Sequence, residues 1–219
     1  ELINEGVPVE DIQSLCDLHV AVFKTGLDEL ADEPQPGGHP LRTYQQNNIR
    51  ITQLLNKAET LMKKAIASEK SEYWAAFWAV VEDLEVVDTH YILKENQLFP
   101  YLENRGFSGP AKVMWGVHND IRRVFKQLAA LQDGGAAEDA QKISSLFAKF
   151  AKDVRAMIYK ENKILFPAAL EHLTAGDWKE MKNEEVNMTY SKDENQTKAG
   201  RPQGPLPLSM GALTLEQIN

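Results

Sequence analysis

His90-Tyr-Ile-Leu-Lys-Glu-Asn-Gln-Leu-Phe-Pro-Tyr-Leu-Glu103 returns in reduced form at Tyr159-Lys-Glu-Asn-Lys-Ile-Leu-Phe-Pro-Ala-Ala-Leu-Glu171. Both copies carry a Lys-Glu-Asn triplet, a Leu-Phe-Pro segment and a closing Leu-Glu. They are separated by the length of a helical hairpin with its connections. Each reads as a helix end that carries a carboxylate and stops at proline. Two such ends are expected where two hairpins pack as a bundle with a site between the copies.

The flanking sequence supplies the other rods. His39-Pro40 opens a helix to about Ser68 through Ile49, Leu54, Leu55, Ala58, Leu61 and Met62, with proline in its favoured first turn. A second helix begins at Ser71 with Trp74, includes His90 and Glu95, and ends at Pro100. After the Gly106–Pro110 turn a third runs from Ala111 to Leu131, with His118, Met114, Trp115, Ile121 and Phe125 on one face. The fourth starts near Ala137 and ends before Pro167. An extra N-terminal helix is expected over residues 8–31 and a short one from Trp178 to Val186. The residues between Asn187 and Leu208 are polar and rich in Pro and Gly, which suits a linker or arm. With no strand pattern, the class is all-α: an antiparallel up-down four-helix bundle over residues 36–175, preceded by a helical segment (1–35) and followed by a short helix, a linker and the start of another domain (176–219).

Composition limits the function. Lys and Arg number 24 against 32 Asp and Glu, a net charge of −8, which argues against general binding to nucleic acid or anionic lipid. The one cysteine, Cys16, excludes an internal disulfide framework and suits a reducing compartment. No run of 18 apolar residues and no signal pattern is present, so a cytoplasmic setting is expected, with no membrane partner.

The five histidines stand at 19, 39, 90, 118 and 172. In an up-down bundle, His39, His90, Glu95, His118 and Glu161 share one end. At about 1.5 Å per residue, His118 lies about 12 Å inside its helix, Glu161 about 9 Å, Glu95 about 7 Å and His90 about 15 Å from their stops. His39 stands at the mouth. Buried imidazoles and carboxylates are costly unless paired or coordinated, so the cluster is either a set of satisfied core residues or a metal site. Cys16 and His19 form a separate Cys-x-x-His step, and His172 reads as a helix-end residue.

These residues resemble the hemerythrin-like, or HHE cation-binding, family over residues 36–175. The matching positions are His39, His90 with Glu95 before Leu98-Phe99-Pro100, His118, and Glu161 before Leu165-Phe166-Pro167. The phrases Glu5–Ile12, Leu15–His19 and Val113–His118 are similar to the DUF438 branch, in which a PAS sensor domain follows the bundle. The resemblance implies a non-haem iron centre with His39, His90 and His118 as terminal ligands and Glu95 and Glu161 bridging or terminal. The chain departs from the family pattern at Met157, where a histidine is expected, and at Arg122, where a second one is common. A mononuclear ion, an asymmetric di-iron pair and haem held by histidine and Met157 therefore all stay open.

Function is read accordingly as a sensory module that binds or reacts with O2, NO or a peroxide and signals to an attached PAS-like domain. The rivals are a di-iron oxidase or peroxidase, a haem protein and a purely structural bundle. Whether the chain is an enzyme, and whether it forms a homodimer, is left undecided by the residues.

Overall fold

The computed structural model describes residues 22, 25–29, 34–68, 70–132 and 139–184. Helix α1 is Pro40–Ser68, α2 is Ser71–Asp83 and α3 is Val86–Leu93; a π-helical segment, π1, covers Lys94–Leu98 and leads into α4, Phe99–Asn104. Helix α5 is Gly109–Ala129; α6, Ala140–Lys160, passes through a second π-helical segment, π2, Glu161–Leu165, into α7, Phe166–His172. Residues 175–184 are helical, and no strand occurs among the described residues. Nor is any described helix long and apolar enough to cross a membrane.

Each long helix follows from a three-to-four spacing of apolar residues. Leu41, Tyr44, Ile51, Leu55, Ala58, Met62 and Ala65 form the buried stripe of α1, with Asn48 as its polar member. The His39 imidazole caps that helix, its Nδ1 accepting the Leu41 N–H at 3.2 Å. The preceding turn needs a left-handed residue, supplied by Gly38 at φ 84°. Between α2 and α3 the chain keeps helical angles through Leu84 and Glu85, and Leu84 is fully buried, so the two behave as one slightly tightened rod.

The prolines do not stop the helices as the sequence suggests. Proline lacks an N–H, and its ring crowds the carbonyl four residues back. The chain meets this at Pro100 and Pro167 by widening the turn before each: the Phe99 N–H bonds the Lys94 carbonyl and the Phe166 N–H the Glu161 carbonyl, five residues back in both cases. Each copy, from its Lys-Glu-Asn triplet through Leu-Phe-Pro, therefore contains a π-turn followed by more helix, with one residue between Asn and Leu in the first copy and two in the second.

Side-chain pairs fix the register. Asn48 meets Glu161 while Arg155 meets Asn56 and Glu59, so α1 and the α6–π2 rod run antiparallel. Gln132 meets Glu82, Arg122 meets Asp88 and His118 meets Glu95, so α5 runs antiparallel to the α2–α3–π1 rod. The core away from the polar end is aromatic: the Phe77 ring lies 5.8 Å from Trp74, 5.1 Å from Trp78 and 5.4 Å from Phe147. Trp115, read from periodicity onto the His118 face, is 49% exposed. It sits at the margin of that stripe.

The short C-terminal helix starts before Trp178. Thr174 and Asp177 cap it reciprocally: the Asp177 carboxylate accepts the Thr174 N–H at 2.7 Å, and Thr174 Oγ1 accepts the Asp177 N–H at 3.3 Å. Trp178 and Met181 are buried. By contact the chain divides into residues 1–182 and 183–219, the second described only at 183 and 184. Cys16, His19 and most of the N-terminal helix lie outside the described residues, as do the 187–208 linker and the segment after it.

Candidate metal centre

The polar end of the bundle holds a connected set of side chains drawn from five elements. Asn48 on α1, His90 on α3, Lys94 on π1, His118 on α5 and Glu161 on π2 are each 2% exposed or less. Such groups are tolerated only when paired. Glu161 Oε2 accepts the His90 Nε2–H at 2.9 Å and the Asn48 amide at 2.9 Å, and its Oε1 accepts the Lys94 ammonium. The same ammonium donates to His118 Nε2 at 3.1 Å and lies 4.5 Å from the centre of the Tyr91 ring. His118 Nδ1–H donates to Glu95 Oε1 at 2.7 Å.

Glu95 is held from the other side. Arg122 forks onto both of its oxygens, at 3.0 Å each, and reaches Asp88 through Nε at 2.6 Å. Because ionised carboxylates only accept, the network fixes both tautomers. His118 carries its proton on Nδ1 and presents a lone pair to Lys94. His90 carries its proton on Nε2, and its Nδ1 is buried without a hydrogen-bond partner.

The charges alternate: Arg122 positive, Glu95 negative, Lys94 positive, Glu161 negative, with neutral His118 between Glu95 and Lys94 and neutral His90 on Glu161. Burial would raise the Glu161 carboxyl, but the Lys94 charge, and then His90, outweigh it and hold it well below the usual range. Burial lowers Lys94 against the pull of Glu161, and lowers His90 likewise. His118 is brought down to about 4, first by burial and then by the neighbouring ammonium. Burial would raise Glu95 as well, yet its bonds to His118 and Arg122 bring it below its ordinary value. Tyr91 is pushed up by burial, and its ring stacks on His118 at 3.9 Å and 10°.

Of the residues expected at the centre, His90, Glu95, His118 and Glu161 join this network. His39 does not: it stands at the start of α1, partly exposed, with its ring 4.6 Å from Trp178. Met157 is buried in the apolar core, one helical turn before Glu161. Sequence reasoning missed Lys94, Asn48 and the part played by Arg122. The signal for Lys94 was its place in the stripe Val87, His90, Tyr91, Lys94, Leu98, all of which are buried.

Donor chemistry and placement give different answers about a metal. Two imidazoles and a carboxylate suit iron or a similar divalent ion. Among the described residues, however, no three His, Cys, Asp or Glu side chains are grouped so as to hold one. Glu95 is turned to His118 and clamped by Arg122, so it does not bridge to Glu161. The arrangement does not fit a di-iron centre. It fits one cation, because His118 Nε2 and Glu161 converge on a single buried position, and that position is taken by the Lys94 ammonium. With Lys94 withdrawn, His118 and Glu161 would offer an ion two donors, His90 would join them only by giving up its Nε2–H bond to Glu161, and Glu95 would orient His118 through Nδ1–H, as carboxylates do behind metal-bound histidines.

Residues 39–169 match the hemerythrin HHE cation binding domain. Residues 1–29 match DUF438, a family of unknown function, which associates the chain with that branch. None of the curated proteins matches the chain. The domain match spans more than half of the sequence and contains every member of the polar network, and on that basis the chain belongs to the hemerythrin HHE cation-binding family.

Proposed function

We propose that this chain is a metal-binding sensory module in which one non-haem iron ion, held by His118, Glu161 and His90, responds to O2, NO or a peroxide. The observation that carries this reading is the convergence of His118 Nε2 and Glu161 on one buried cation position. When bound, iron supplies the gas-binding and redox chemistry. The chain's own residues prepare for it: Arg122 holds Glu95, Glu95 orients His118, Asn48 steadies Glu161, and the Tyr91 and Phe99 rings lie nearly parallel to the His118 ring and shield it.

Contacts of the same elements support an output route. Gln97, on π1 with Lys94 and Glu95, donates to the Met181 carbonyl at 2.9 Å and accepts the Tyr44 hydroxyl at 2.9 Å. A shift of π1 would thus be felt by the helix of residues 175–184, and beyond it by the attached PAS-like domain. A cytoplasmic setting goes with this role and with the lone cysteine. The haem reading gains no support from Met157, which packs in the apolar core.

Anaerobic titration of the chelator-stripped chain with Fe(II) tests the proposal. Binding is expected to saturate at one iron per chain, with an optical spectrum that changes on admission of air or NO. No saturable binding, or two irons per chain, overturns it.

A further inference from the structure

We infer that Lys94 is a built-in competitor for the metal: its ammonium is the resident cation of the centre, and a metal ion enters only by displacing it. This deepens the metal reading above and rests on it.

The geometry leaves room for one cation. Lys94 is fully buried, and its Nζ is met by Glu161 Oε1, by His118 Nε2 at 3.1 Å and by the Tyr91 ring face. The two polar acceptors are the atoms that a metal would need. An ammonium and a divalent ion sharing those atoms would lie within a few ångströms of each other in a water-poor interior, where like charges repel strongly. The two states therefore exclude each other. Exchange breaks the contacts of Nζ with Glu161 and His118 and sends the ammonium toward solvent with its proton. It then forms bonds from the same two atoms to the metal, with no oxidation or reduction. The opposite end of the network needs no change, since Glu95 and Arg122 stay paired.

The position of Lys94 in the chain suits such a movement. It opens π1, and its backbone carbonyl takes the five-residue bond from Phe99 instead of the regular helical bond. π-turns of this kind commonly mark functional positions in helices. In the second copy Glu161, not a lysine, opens the π-turn, and the triplet lysine Lys160 is only half-buried. A buried lysine at the head of the turn is thus particular to the first copy. A purely structural ion pair would make a different prediction: removing the lysine would weaken the fold and leave metal affinity unchanged.

The test compares the full chain with Lys94→Met, which keeps the length of the stem and removes the charge. Both are stripped with chelator and titrated with Co(II), followed by visible absorbance and by melting temperature. Lys94→Met is expected to bind Co(II) at least about tenfold more tightly, to melt lower in chelator, and to gain more from Co(II) than the unaltered chain. If both bind with equal affinity, the inference falls and the metal reading stands. If neither binds, both fall. Should Lys94→Met not fold in chelator, recovery of its helical circular dichroism on adding Co(II) supports the inference. If it does not recover, Lys94→Gln, which retains a donor for Glu161, is judged by the same affinity criterion.

Discussion

Replacement of Glu161 by alanine is expected to lower the unfolding free energy, measured by urea denaturation in the presence of chelator, by about 3–5 kcal/mol. Glu161 is fully buried, and on its removal the Lys94 ammonium, also fully buried, loses the carboxylate it is paired with. The His90 Nε2–H and the Asn48 amide lose their acceptor as well. Leaving a charge and two donors unpaired in the interior costs far more than the pair itself contributes, because the desolvation of Lys94 is no longer offset. The exposed Lys63–Glu59 pair on α1 is a suitable contrast, with about 0.3–0.5 kcal/mol at stake. A loss below about 1 kcal/mol for Glu161→Ala would mean that the ammonium reaches water and is not confined as described.

Stability of the chelated chain is also expected to fall by about 3 kcal/mol as pH drops from 6.5 to about 4, through His118. The sign follows from proton counts. In the unfolded chain a histidine takes up its proton near pH 6.5, whereas buried His118 does so only near 4. Between those values the unfolded state holds one more proton and is favoured. Above 6.5 neither form is charged and the native state keeps its full stability. The groups facing His118 are Glu95 on π1, Lys94 beside it, Glu161 on π2 and the Tyr91 ring. At still lower pH the depressed carboxyls of Glu161 and Glu95 add to the loss, since their stabilisation is present above their ordinary range and vanishes as they protonate. Urea midpoints at several pH values, taken for the chain and for His118→Gln, isolate the contribution. The slope is expected to flatten in the variant, although His90 and His39, both lowered by burial, leave part of it. Equal slopes would contradict a neutral buried His118.

The sequence carried much of the fold because its signals there are local. Pro40 and the stripe that follows it define α1 to within a residue, and the turn at Gly106 separates α4 from α5, which begins at Gly109, two residues before the expected Ala111. It was misleading at Pro100 and Pro167 for a physical reason. A proline announces a missing N–H, but whether the chain ends the helix or widens one turn depends on the packing beyond it, and Leu102 and Ala169 are buried where the helices continue. Of the network residues expected from the sequence, His90, His118 and Glu161 are buried on apolar stripes and Glu95 lies beside one, half-buried. Lys94 lies on the stripe of His90, but lysine is so rarely buried that its side chain reads as solvated. Arg122 was visible as a departure at the position four after His118. That it would draw Glu95 away from Glu161 depends on the register of α5 against π1, which no single helix encodes.

A pair of crystal structures tests most directly whether the centre admits one cation at a time, the first grown in chelator and the second with Co(II), with anomalous data at the cobalt edge. The prediction is Lys94 Nζ between Glu161 and His118 in the first. In the second, one anomalous peak per chain lies among His118, Glu161 and His90, and the Lys94 side chain is turned away. Two peaks, or one peak with Lys94 still seated between Glu161 and His118, would contradict it.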